Sequence, residues 1–355
     1  MDTKGKAMTV MGPVDPALLG QILPHEHISV NFGFGFVEPA ACSCEAGPKT
    51  ECDFTLPNIG WIRQNPYSHK KNIKYSGDEV ERMVEDEFKL FKKAGGGTIV
   101  ENTITGIERN LLACKRLMKA TDVNIIAGTG FYVSPSLPSS VLAMSTEQLC
   151  EVILKEVTQG CDEDPTIRCG IIGEIGSSWP ITDFERRSIR AAGITQEQTG
   201  APVMFHPGRH HDAPAEILRV YAEAGGDIRH AVMAHLDRTI HTMEGLAELA
   251  ALGSYLEYDL FGLETSHYQL NAAVDMPSDA QRIARIKHLV ECGYADRILI
   301  SHDIHTRNRL TEYGGHGFCH IFENVVPKMI SRGLAPDVVS AFLTTNPQQW
   351  LTFSK

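Results

Sequence analysis

Apolar and polar positions along the chain alternate between two textures. Short runs that are apolar at nearly every position recur from residue 98 onward: TIVEN (98–102), NIIAGTGFY (124–132), GIIGEIG (170–176), PVMFHP (202–207), AVMAHLD (231–237), SYLEYDL (254–260) and RILISHD (297–303). QILPHEHISV (21–30) adds an eighth run. Near-continuous apolarity suits strands covered on both faces, as in a parallel sheet. The segments between them carry helical period and readable start signals. Ser76 with Glu79, Ser145 with Gln148 and Ser278 with Gln281 match the S-x-x-E/Q capping box, in which side chain and backbone satisfy each other's free N–H groups. After the first, Val80, Met83, Val84, Phe88 and Phe91 form one stripe, and Gly95, Gly96 and Gly97 end the helix. Further stripes run through Ile217, Leu218, Tyr221 and Ala224, and through Leu246, Leu249 and Ala250.

Eight strands alternating with helices predict an α/β protein, a single (β/α)₈ barrel over residues 1–355. An open doubly wound sheet is the alternative, weakened because no G-x-G-x-x-G follows the first strand. Two regions depart from the pattern: an irregular insertion at about 31–75, rich in Phe, Gly, Pro and Cys, and a helical tail at about 318–355. A loop as long as the first is expected to cover an active site. No linker or internal repeat divides the chain.

Composition narrows the function. Of 355 residues 43% are hydrophobic and 22% charged, with a net charge of -11, which disfavours nucleic acid or an anionic membrane as partner. A small anionic substrate stays open, because local charge decides that. The N-terminus has no signal-peptide pattern and no run is long enough to span a membrane, so a cytosolic protein is expected. Nine cysteines fit free thiols better than a disulfide framework. Cys42, Cys44 and Cys52 are close enough to suggest a zinc clip, but the C-x-x-C spacing and a fourth ligand are missing, and loop thiols are the plainer reading. Nothing in the sequence speaks to oligomeric state; a homodimer is compatible with it.

The chemistry sits where the strands end. The first gives His25 and His27 in H-E-H, the fourth Glu174, the fifth His206, the sixth His235 and the eighth Asp303. In a barrel, the carboxyl ends of separate strands converge on one mouth. Residues two apart on a strand project from one face, so His25 and His27 can reach the same cation. A carboxylate in an apolar strand is costly unless cations or several donors compensate it. Four histidines and two carboxylates exceed the needs of one tetrahedral ion and suit two ions with a bridging carboxylate. Read singly, each has an ordinary alternative: a hydrogen-bonded histidine, Asp303 as a helix cap, Glu174 as partner of Arg168 or Arg186. Their coincidence at five strand ends favours the metal reading. The other histidines are left as structural, apart from His210 and His305 as candidate pocket walls.

GPVDPALLGQILPHEHISV, GIIGEIGSSWP, VMFHPGR, VMAHLDRT, YLEYDLFG and LISHDIHT resemble the animal phosphotriesterase-related proteins of the amidohydrolase superfamily, which also holds bacterial phosphotriesterases and lactonases. The resemblance extends over nearly the whole chain, including NPYSHKKN and the closing NPQQWLTF. It implies a barrel with a binuclear metal site: His25 and His27 on the more buried ion, His206 and His235 on the more exposed one, Glu174 as the bridge and Asp303 as a ligand that also handles protons. Many relatives with phosphotriesterase activity bridge the ions with a carboxylated lysine. Glutamate is already anionic but reaches less far.

The expected chemistry is metal-assisted hydrolysis, by attack of a hydroxide shared between two divalent ions, with Asp303 as proton carrier. Zinc is the first expectation, although His and carboxylate ligands also accept manganese, cobalt or iron. Candidate substrate contacts are Tyr132, Trp179, Arg209, Arg238, Tyr258 and His305 on the loops and strand ends. Arg238, three residues beyond His235, is placed to meet an anionic group or to pair with Asp237 or Asp259. The resemblance points to amide hydrolysis of N-acetyltaurine, giving taurine and acetate; residue spacing alone does not separate a sulfonate from a carboxylate. A lactonase or phosphotriesterase using the same ions is the alternative within enzymes, and a catalytically silent binding barrel the alternative outside them.

Overall fold

All eight apolar runs are strands of one parallel sheet in the computed structural model, which describes residues 3–39, 49–265 and 267–355. They are β1 (Gln21–Glu26), β2 (Gly96–Glu101), β3 (Asn124–Thr129), β4 (Ile171–Gly176), β5 (Val203–His206), β6 (Ala231–Met233), β7 (Tyr255–Tyr258) and β8 (Ile298–Ile300). They lie side by side in chain order, with helices between. β8 meets β1 mainly through side chains at the strand ends. Glu26, the middle residue of H-E-H, accepts from the backbone N–H groups of His302 and Ile304 at 2.9 Å each, and pairs with His302 Nδ1 at 2.8 Å. The Asp303 N–H donates to the His25 carbonyl at 3.0 Å. A carboxylate with several donors is thus the clasp of the barrel.

Side-chain alternation fills the interior. Ile22, Val100, Ile126, Ile171, Met204, Val232, Tyr255 and Leu299, one from each strand, form a single buried cluster, floored by Trp350 and Leu351 from the C-terminal helix Thr345–Leu351. Their burial plugs the lower barrel, each large side chain contributing about 1.5–3 kcal/mol. The site therefore lies above them. Strict alternation from Ile22 and Ile171 would turn Pro24 and Gly173 inward. The strand register shifts between Leu23 and Glu26 and between Ile172 and Ile175, and these irregularities are where His25, His27 and Glu174 come to face the mouth.

Two of the three expected capping boxes form, at Ser145–Gln148 and Ser278–Gln281. The third does not. Gly77, at φ 95°, caps the helix Asp78–Lys93, a conformation that serine avoids; Glu79 instead pairs with Arg307 at 2.8 Å. The stripe from Val80 to Phe91 is buried as expected, and Gly95 at φ 98° lets the chain leave the helix. A further box that sequence reading missed, Thr182–Glu185, starts the helix Asp183–Thr199 just after β4.

Glu185 there also accepts from the N–H groups of Ser134 and Ser178, at 3.0 Å each, which ties two loops of the mouth together. Burial raises its pKa, but these backbone donors outweigh that and hold it below the ordinary range. A depressed carboxylate stabilises the fold above its unfolded pKa, and that contribution disappears as pH falls through the folded value. Glu185→Gln is expected to cost about 2 kcal/mol at neutral pH. The gap from wild type should close below the carboxylate range, as measured by urea unfolding against pH.

The insertion is pinned at its base by a short antiparallel pair, Val30–Asn31 with Lys74–Tyr75, and carries the helix Leu56–Gln64. It supplies Phe32 and Tyr67 to the mouth. Cys42 and Cys44 lie outside the described residues; Cys52 donates to the Lys49 carbonyl and lies 3.7 Å from His69 Nε2. Among the described residues, no helix is long and apolar enough to cross a membrane.

Candidate active site

The six expected residues meet at the carboxyl ends of the strands, all buried. Glu174 is at the centre. Its Oε2 lies 2.9 Å from His206 Nδ1, 3.2 Å from His235 Nε2 and 3.5 Å from His25 Nε2, while Oε1 lies 3.5 Å from His27 Nε2. Asp303 approaches from β8, with Oδ1 3.1 Å from His27 Nε2. One oxygen thus faces His27 and the other the remaining three histidines. Neither Arg168 nor Arg186 pairs with Glu174; Arg186 pairs with Glu216 at 3.0 Å.

Charge follows from this crowding. Burial pushes the Glu174 carboxyl up, but His25 and His206 hold it well below the ordinary range. Asp303 is likewise raised by burial and driven well below by His305 and His27. Burial lowers His27, yet Asp303 and Glu174 lift it to about 10. His206 goes the other way, to about 3, because burial together with His235 and Arg238 outweighs Glu174.

A metal fits this donor set. His25 Nε2 is buried without a hydrogen-bond partner, an expensive state for an imidazole nitrogen unless a cation takes its lone pair. His25, Glu174 and His235 form one group of potential ligand atoms lying within 4.8 Å of one another, and His25, His27 and Asp303 another. The opposite ring nitrogens are held. His25 Nδ1 faces Glu257 at 3.1 Å, His27 Nδ1 faces Thr103 at 2.9 Å, and His235 Nδ1 faces Asp259 at 2.8 Å. Such outer contacts fix ring orientation and tautomer.

Glu257, Asp259 and Thr103 were missed as functional residues. The signal for the first two was present: Glu257 and Asp259 stand two apart on a strand, the same spacing that marks His25 and His27. That alternation also corrects the place of Tyr258. With Glu257 and Asp259 inward, Tyr258 points into the outer core, where it is fully buried and its hydroxyl has no partner; it does not line the cavity. Tyr258→Phe is expected to leave kcat/KM unchanged and to stabilise the fold by about 1 kcal/mol, read from thermal melting.

Above the cluster is a cavity of ≈ 20 Å³ lined by His27, Glu174, His206, His235 and Asp303 and by Tyr132, Arg209, Arg238 and His305 from the expected substrate contacts. Tyr132 Oη is 3.1 Å from His206 Nδ1. His305 Nδ1 donates to the Asp303 carbonyl at 2.7 Å and its Nε2 meets the Tyr67 hydroxyl at 2.9 Å. Arg238 is buried and pairs with neither Asp237 nor Asp259: Asp237 is taken by Arg282 and Asp259 by His25 and His235. Its Nη1 donates to the Pro207 carbonyl at 3.1 Å and its Nη2 lies 3.1 Å from His206 Nε2. Arg209 donates to the Tyr268 hydroxyl at 3.0 Å. Burial and the nearby Arg209 lower the pKa of Arg238, and the opposing influence of Tyr268, Tyr132 and Asp259 does not make up the difference. Trp179 stands further out, stacked on His210 at 4.8 Å and 7°, in a neighbouring cavity. Tyr67, Tyr268 and Phe32, absent from the expected set, also line it, together with Leu260, Leu263 and Leu270; the signal for the three aromatics was only the length of the insertion and the aromatic content of the loops.

The model of the phosphotriesterase family matches residues 5–351. The chain belongs to this family. Within the phosphotriesterase family it is 51% identical over 349 residues to a protein of Xenopus tropicalis named N-acetyltaurine hydrolase, covering 98% of each chain. It is 50% identical over 349 residues to the human protein of the same name, again covering 98% of each. Among solved structures, a resiniferatoxin-binding protein from Rhodobacter sphaeroides superposes with a TM-score of 0.92 at 31% identity, over 98% of this chain and 95% of that one. The phosphotriesterase homology protein of Escherichia coli superposes with a TM-score of 0.75 at 23% identity, over 95% and 100%, a likeness of fold alone. The barrel and the strand-end cluster therefore belong to a phosphotriesterase-family hydrolase.

Proposed function

We propose that this chain hydrolyses the amide of a small anionic N-acyl substrate, N-acetyltaurine first, to taurine and acetate. The observation that carries the reading is Arg238: a buried guanidinium beside the six-residue cluster, with no carboxylate partner among the described residues. A buried cation without its anion is costly, and an anionic substrate end would relieve it by charge-assisted hydrogen bonds. The names of the relatives at about half identity support the same substrate.

His25 and His27 would hold one divalent ion and His206 and His235 a second, with Glu174 between them and Asp303 beside His27. Bound there, zinc or a similar ion supplies Lewis acidity toward the amide carbonyl and an acidified water. Asp303, ionised and held by His305, accepts the proton of the attacking water and delivers it to the amide nitrogen as the C–N bond breaks. Water's hydroxyl thus ends on acetate and its proton on the amine. Arg238 fixes the anionic end, which sets the carbonyl over the cluster.

A panel of N-acetyltaurine, N-acetyl-β-alanine, a δ-lactone and a phosphotriester tests this with the purified protein. Turnover is expected to be highest on N-acetyltaurine, to be lost on chelation and to return with zinc. Hydrolysis confined to the lactone or the phosphotriester would defeat the amidase reading.

A further inference from the structure

The central cavity has a larger neighbour. Against its ≈ 20 Å³, an annex of ≈ 400 Å³ opens beside it, walled on its apolar side by Phe34, Val133, Pro135 and Trp179, with Ser178 and Asn271 on the polar side. Phe32, Tyr132, His206, Arg209 and Leu270 line both. Tyr132, His206 and Arg209 are tied into the polar machinery, which leaves Phe32 and Leu270 as the apolar partition.

Phe32 is the more firmly seated of the two. Its N–H donates to the Ile73 carbonyl at 2.9 Å, and its own carbonyl accepts from Gly35 at 2.8 Å. Its ring lies over Gly35 so closely that a Cβ there would come within 2.7 Å of it. Ring centroids of Phe34 at 4.7 Å, His305 at 5.5 Å and Tyr132 at 6.1 Å surround it. The ring is therefore held at the boundary between chamber and annex. An anionic substrate end is costly against an aromatic wall and is matched by Arg238 in the chamber. The end that meets the partition is then the apolar one, the acyl group.

We propose that Phe32 sets the length of acyl group this chain accepts, and that the annex behind it is a latent subsite for a linear apolar acyl chain. The proposal rests on the amidase reading for its substrate, and the test separates the two. Phe32→Ala and Phe32→Val are compared with wild type on N-acetyl-, N-butanoyl- and N-hexanoyltaurine, and in parallel on the p-nitrophenyl esters of the same acids. Thermal melting establishes which variants are folded; if the alanine variant is not, the valine variant decides. The kcat/KM ratio of hexanoyl to acetyl substrate is expected to rise at least 30-fold in Phe32→Ala and by less in Phe32→Val. Adding Val133→Trp, which fills the annex, should cancel the gain. An unchanged ratio in the folded variants, or a gain that survives Val133→Trp, overturns the proposal. If wild type cleaves none of the taurine amides, the amidase reading fails, and the ester ratios decide the role of Phe32 by the same criterion.

Discussion

Asp303→Asn is expected to lower kcat on the amide substrate by about 10³-fold while the protein stays folded, since positioned proton transfer contributes roughly 10²–10⁴-fold. The exchange keeps size and shape and removes the ability to accept a proton. In the native protein Asp303 is buried, yet His305 and His27 keep it ionised, so it is ready to act as a base at neutral pH. It is also held from behind: Arg309, itself buried, donates to the carbonyls of His302 and Asp303, and Asp303 sits at φ 53°, a conformation that the surrounding contacts must enforce. Initial rates, a melting curve and metal content of the purified variant check the prediction together. Turnover within tenfold of wild type in a folded variant would remove Asp303 from the chemistry.

Replacing Arg238 by Met is expected to reduce kcat/KM on N-acetyltaurine by about 10²–10³-fold, since truncating one partner of a buried charge pair costs about 2–5 kcal/mol. Arg238→Lys should restore little, because a single ammonium cannot reproduce two fixed N–H directions toward an oxyanion. Arg238 also lies beside His206, so a loss of rate by itself would be ambiguous. A neutral amide of similar size, N-ethylacetamide, resolves it. Its slow hydrolysis should be unaffected by Arg238→Met if the guanidinium serves the anionic end. It should fall with the anionic substrate if Arg238 acts by positioning His206.

Arg238 shows how far sequence reading carried and where it stopped. Arg238 could be named as a candidate anion contact because it follows His235 by three residues, but whether Asp237 or Asp259 neutralised it could not be read from one dimension. The structure gives Asp237 to Arg282, more than forty positions away, and Asp259 to two histidines. Tyr258 fails for a related reason: being next to a chemically important strand end says nothing of which face a side chain takes until the parity of the strand is known. Once Glu257 and Asp259 face inward, Tyr258 must face out. At Ser76 a local motif lost to a glycine one residue later, whose positive φ relocated the helix start.

Periodicity and residue type determined the eight strands, their helices and the six residues at the mouth, because apolar alternation and the chemistry of His, Glu and Asp are local properties written into the chain. Tertiary structure decided the rest. It set the register irregularities that turn His25, His27 and Glu174 toward one another, the Glu26 clasp between the first and last strands, and the insertion ring of Phe32 against the cavity. Each depends on what lies opposite a residue in space. That is settled by packing and by the need to pair every buried charge, which no spacing along the chain encodes.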